Sequence, residues 1–258
     1  MKSPNGTYVY CVVAADRRPR LTRVPSGLPG AGPVRLLGVE TGLFMAVADL
    51  PLDRYSEAAI NSGLANLDWV SRVAVAHEAV VESFIAATAI LPMKLFTIFT
   101  SDDRALDHMR AQRPRMAALV KRVANHQEWG IRVVLDRTGA SAALPAKKPA
   151  ARDGNGVSYL ARKKAQRDSS RELASRARET VAVLFDRLAA RSSDAKRRGA
   201  SELPAQGGPL LLDAAFLVPR PRGAAFSALA ARESKTLARQ GYGLTVSGPW
   251  PPYTFVQD

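Results

Sequence analysis

Residues 8–13, Tyr-Val-Tyr-Cys-Val-Val, form an unbroken apolar run with the β-branched and aromatic make-up of a strand. A loop rich in Pro, Gly and Arg follows over 16–33. Residues 34–39 and 43–48 then read as two strands of a hairpin turning at Glu40-Thr41-Gly42. Pro51 breaks the pattern over 49–53. Beyond it, Leu67, Val70, Ala74, His77, Val81, Phe84 and Thr88 recur at steps of three and four, which predicts one helix over 61–90, ended by Pro92. Residues 93–99 look like a strand. Ser101-Asp102-Asp103 look like a helix start, with acids near the positive end of the helix dipole. Leu106, Met109, Met116, Leu119, Val120 and Val123 make the apolar stripe that continues it, with Pro114 either kinking it or opening a second helix.

In the second half, Trp129, Ile131, Val133 and Leu135 alternate with polar or smaller positions, as in a half-buried strand. Over 138–156 no periodicity survives among Ala, Pro, Gly and Lys, so this stretch reads as a mobile loop, centred on 139–156. A long basic helix is predicted over 157–198, with Leu173, Ala177, Val181, Leu184 and Leu188 on its buried side. A strand at 210–218, a helix at 223–240 and a strand at 242–247 complete the pattern. Helices over one face of a small sheet bury both stripes, so the fold class is α+β. Two domains are expected, 1–125 and 126–258.

Composition narrows the function. An apolar fraction of 47% suits a packed core, and Cys11 is the only cysteine, which excludes an internal disulfide. No apolar stretch reaches the roughly 20 residues of a membrane span, and the opening residues lack a signal-peptide core. The expected setting is therefore cytoplasmic, with no membrane partner. The formal net charge is +14, which favours acidic partners.

Candidate chemistry is sparse. His77-Glu78 begins the metalloprotease pattern HExxH, but Val81 stands where the second ligand belongs. His77 also lies on an apolar stripe, as an interior histidine would. His108 and His126 are isolated. Gly27-Leu28-Pro29-Gly30-Ala31-Gly32 lies in an irregular segment with a proline, a poor setting for cradling phosphate. There is no GxxxxGK[ST] loop and no GxSxG elbow. No catalytic, cofactor-binding or metal-ligating residue is expected, and no cofactor. Two features remain open. The span 157–198 holds 12 Lys and Arg against 5 Asp and Glu. It is a solvated face, a guide to an acidic protein, or, against the interrupting acids and the lack of stacking aromatics, a nucleic-acid surface. The tail Pro249-Trp250-Pro251-Pro252-Tyr253 either clamps its own core or presents its rings to a partner.

The ending 241–255, and above all Gly248-Pro249-Trp250-Pro251-Pro252-Tyr253, resembles the C-terminal signature of the gas vesicle protein F/L family (GvpF/GvpL). In order along the chain, Leu91-Pro92-Met93-Lys94-Leu95-Phe96-Thr97-Ile98-Phe99 resembles its LPxRFGTVF block and Glu128-Trp129-Gly130-Ile131-Arg132-Val133 its EWGVKV strand. The segment 156–164 resembles its Gly, Tyr-Leu and basic stretch. Lys94-Leu95-Phe96 departs from the usual Arg-Phe-Gly, losing both the guanidinium and the glycine. The resemblance implies a second domain of modified ferredoxin-like fold. It also implies an accessory or minor structural role in gas vesicle assembly, with no enzymatic activity, in contact with the major shell protein and other accessory proteins. The interface candidates are Trp250, Tyr253, Phe96 and Phe99 as apolar contacts, and Lys94, Arg162, Lys163 and Lys164 as basic ones. The rival is a basic nucleic-acid-binding or regulatory protein.

Overall fold

The computed structural model describes residues 5–22, 24–135, 156–199 and 208–257, with backbone alone at 156–162, 165, 169 and 170. The expected loop at 139–156 and the side chain of Arg162 lie outside the described residues. Two compact units are present, Met1–Glu128 with Pro249–Asp258, and Trp129–Gly248. The tail therefore groups with the first unit, whereas the sequence division had assigned all of 126–258 to the second.

The first unit is built on β1 (Asn5–Ala14), which is buried along nearly its whole length. It pairs antiparallel with β3 (Leu43–Pro51), β4 (Ala89–Pro92) and β5 (Ile98–Phe99), and β2 (Arg35–Glu40) pairs with β3. The β2–β3 turn takes Gly42 to a φ of 77°, which a side chain would strain. The β1–β3 register shifts between Val9 and Cys11. A bulge there moves the alternation by one residue, so Tyr8 and Tyr10 share a core cluster with Cys11 and Val13.

Helices α1 (Glu57–Leu64) and α2 (Leu67–Glu82) replace the single helix predicted over 61–90. The break is local: Asn66 is extended, and its side chain accepts from the Trp69 N–H at 3.0 Å. Ala89–Pro92 is then a strand rather than a helix end. Most of the strand expected over 93–99 is a turn, in which Lys94 O accepts from both the Thr97 N–H and its hydroxyl. Ser101 caps α3 (Asp102–Ala111), and Pro114 opens a separate α4 (Arg113–Val123).

The second unit runs β6 (His126–Leu135), α5 (Gly156–Ala189), β7 (Asp194–Arg197), β8 (Leu210–Pro219), α6 (Gly223–Ala238) and β9 (Tyr242–Trp250), in sheet order β7-β8-β6-β9. This βαββαβ chain with its first and third strands adjacent at the centre is the ferredoxin-like arrangement. The long helix ends at Ala189, nine residues before its predicted end, and Lys196, Arg197 and Arg198 belong to or adjoin an edge strand paired with β8. Trp129, Ile131, Val133, Val181, Leu184, Leu188, Phe216 and Phe226 form the core of this unit. The tail ends in a single turn, α7 (Tyr253–Val256).

Candidate protein-binding surfaces

The 94–99 turn is held by aromatic packing. Phe96 has a φ of 64°, in the left-handed region. For a residue with a side chain this costs about 1–2 kcal/mol. Its ring stacks on Trp69 at 5.6 Å with the planes 10° apart, and Trp69 in turn lies 6.4 Å from Tyr55. From below, the Tyr8 hydroxyl accepts from the Phe96 N–H at 3.4 Å and bonds His77 Nδ1 at 2.7 Å. Phe96 and Phe99 are both half-buried, Phe99 with its ring 5.2 Å from His108, while Lys94 is exposed.

Beside this stack the α1–α2 corner exposes Leu64 at 50% and Leu67 at 82%. Trp69 covers Gly63 so closely that a Cβ there would lie 2.6 Å from the ring. Sequence reasoning placed Leu67 on the buried stripe. It is instead the first residue of α2, whose buried positions begin only at Val73, and the Asn-capped start was the signal that could have revealed it.

The tail separates its candidates. Trp250 is 39% exposed, whereas Tyr253 packs against the core cluster of the first unit, and Phe255 is fully buried. Burial, with Glu78, Glu82, Cys11 and Glu128 adding repulsion, pushes the Tyr253 hydroxyl well above the usual phenol range. Glu128, 3% exposed, accepts from the backbone N–H and the hydroxyl of Thr254, each at 2.7 Å. The Arg122 guanidinium lies 5.9 Å from the Phe255 ring centroid. These contacts account for the glutamate of the Glu128-Trp129-Gly130 block.

Among the basic candidates, Lys163 and Lys164 are exposed. The cluster at 196–198 is partly internal. Asp213, 6% exposed, is held between Arg198 Nη2 at 2.7 Å and Arg132 Nε at 3.1 Å, and Arg197 lies 4.5 Å over the Phe185 ring. At His77, Tyr10 and Cys11 burial favours the neutral form. Desolvation lowers His77 to about 4 and raises Tyr10 to about 12, and the Cys11 thiol is raised by burial alone. No group of three or more His, Cys, Asp and Glu able to hold a metal is found among the described residues. No described helix is long and apolar enough to cross a membrane.

These features define a two-unit α+β protein with the fold of solved gas vesicle proteins. Over 98% of the chain the fold matches crystal structures of the gas vesicle protein GvpF from Anabaena sp. PCC7120 (TM-score 0.71, 18% identity, 97% of that chain) and Microcystis aeruginosa (TM-score 0.68, 17% identity, 99% of that chain). The family model for gas vesicle synthesis protein GvpL/GvpF matches residues 6–257. Gas vesicle protein L of a Streptomyces species is 30% identical over 253 residues, 96% of this chain and 91% of the relative. Gas vesicle protein L2 of Halobacterium salinarum is 28% identical over 278 residues, 98% of this chain and 92% of the relative. The chain belongs to the GvpL/GvpF family, whose general role is in gas vesicle assembly.

Proposed function

We propose that this chain serves gas vesicle assembly by binding the apolar surface of the major shell subunit before that subunit enters the wall, without bond-making chemistry. A shell that holds gas presents an apolar face, and in water such a face aggregates unless it is covered. The observation that carries this reading is the α1–α2 corner, where two large apolar side chains, Leu64 and Leu67, stand exposed. Trp250, held between Pro249 and Pro251, offers another exposed ring in the same unit. Proline on both sides fixes the backbone, so little freedom is lost when such a ring is covered. Tyr253 and Phe255 anchor the tail instead of meeting the partner. Other accessory proteins of the assembly are the second class of partner, and the chain acts where vesicles form, in the cytoplasm.

The test is co-purification of the tagged chain with the shell subunit, comparing it with a Leu64→Ser, Leu67→Ser double variant. Both leucines are exposed, so the variant keeps its circular dichroism spectrum and melting temperature. Binding is expected to weaken by at least roughly tenfold. Undiminished capture by the folded variant would remove the corner as the contact site.

A further inference from the structure

Helix α5 outruns the core it belongs to. Its buried positions are Ala177, Val181, Leu184 and Leu188, all in its second half. From 163 to 176 every described side chain, at 163, 164, 166–168 and 171–176, is exposed. The next step back along the buried stripe, Leu173, is 42% exposed. At 3.6 residues per turn, Lys163, Lys164, Arg167, Arg171 and Arg178 fall within an arc of about 100° beside that stripe, over about 22 Å of helix. Arg167, Arg171 and Arg178 have no ion-pair partner among the described residues. The acids Asp168, Glu172 and Glu179 sit on the adjoining ridge, where Glu172 is taken by Arg176. The helix thus carries an apolar residue with exposed cations along one flank.

We infer that this overhanging half of α5 is a docking rail for an acidic amphipathic helix of a partner protein. The charge of the rail selects the occupant. Cations one helical turn apart match carboxylates at the same spacing on a second helix, and Leu173 meets the apolar seam between them. A second copy is repelled, because the chain carries +14. The chain's own segment 136–155 is basic as well, with Arg137, Lys147, Lys148 and Arg152 against Asp136 and Asp153. Nucleic acid fits less well, since Asp168, Glu172 and Glu179 border the arc and repel phosphates, and no aromatic stands among the described side chains from 163 to 178. This inference is independent of the shell-subunit reading, which uses the other unit.

The experiment uses the full chain and a labelled helical peptide with leucines on one face and glutamates beside them, read by fluorescence anisotropy. A peptide with glutamine for glutamate, a single-stranded DNA and a duplex DNA serve as comparisons. The acidic peptide is expected to bind, and to lose at least roughly tenfold in affinity in an Arg167→Glu, Arg171→Glu, Arg178→Glu variant. Leu173→Ser is expected to weaken it several-fold. Reversing Arg17, Arg20 and Arg104, which changes net charge equally but lies off the helix, is expected to leave it within roughly twofold. No binding, equal loss from both reversals, or tighter binding to either DNA would overturn the inference.

Discussion

At Phe96 two effects oppose each other: the left-handed backbone is strained, and the ring gains a stack on Trp69. Glycine relieves the strain, so the usual order of glycine and alanine reverses here. Both Phe96→Gly and Phe96→Ala lose the stack, but the glycine variant is expected to be more stable than the alanine one by about 1 kcal/mol in urea titration. The family block has its glycine at this place, and the substitution by phenylalanine was visible in the sequence; what it does to the backbone was not. His77 gives a second prediction. Its folded pKa of about 4 lies below the ordinary histidine value of 6.5, so the unfolded chain binds the extra proton between those values. Stability is therefore full above the unfolded pKa and falls as the pH drops towards 4, by up to about 3 kcal/mol. Glu78, raised by desolvation and by Glu82, acts with the opposite sign at the acid end of this window. Asp102, held low chiefly by its hydrogen bond from Arg35, loses its contribution only below the ordinary carboxylate range. Unfolding midpoints measured from pH 7.5 downwards are expected to show the decline, and His77→Gln to flatten it.

Among the elements, those whose pattern is purely local were legible. The β2–β3 hairpin, the starts of α3 and α4, and strands β8 and β9 all lie within a few residues of where periodicity and turn chemistry placed them. Elements defined by their partners were not. The strand β7, Asp-Ala-Lys-Arg, has the composition of a solvated helix and is a strand only because it pairs with Ala214–Leu217 of β8. The bulge in β1 leaves no mark in an all-apolar run, yet it decides which side chains share the core. The tail is similar: sequence singled out its rings but could not separate the exposed Trp250 from the anchored Tyr253, because the anchor is Glu128, distant in sequence. Glu128→Ala removes an acceptor from two Thr254 donors. It is expected to cost about 2–3 kcal/mol and to speed carboxypeptidase trimming of the tail. Unchanged trimming would show that the glutamate does not hold it.

For the whole molecule, the family and the α+β class followed from short blocks of sequence, whereas the surfaces needed the structure. Leu67 shows why: a leucine at helical spacing looks like core, but it opens α2 one turn and more before the first buried position, Val73. Lys163 and Lys164 stand out in the sequence by charge alone, whereas the structure adds that every described side chain from 163 to 176 is exposed. The central claim is that the chain covers an apolar building block. Diluting denatured shell subunit into buffer while recording light scattering tests it most directly. An equimolar amount of the folded chain is expected to suppress the rise in scattering, and the Leu64→Ser, Leu67→Ser variant to suppress it much less. Scattering that rises equally with and without the chain would contradict the account.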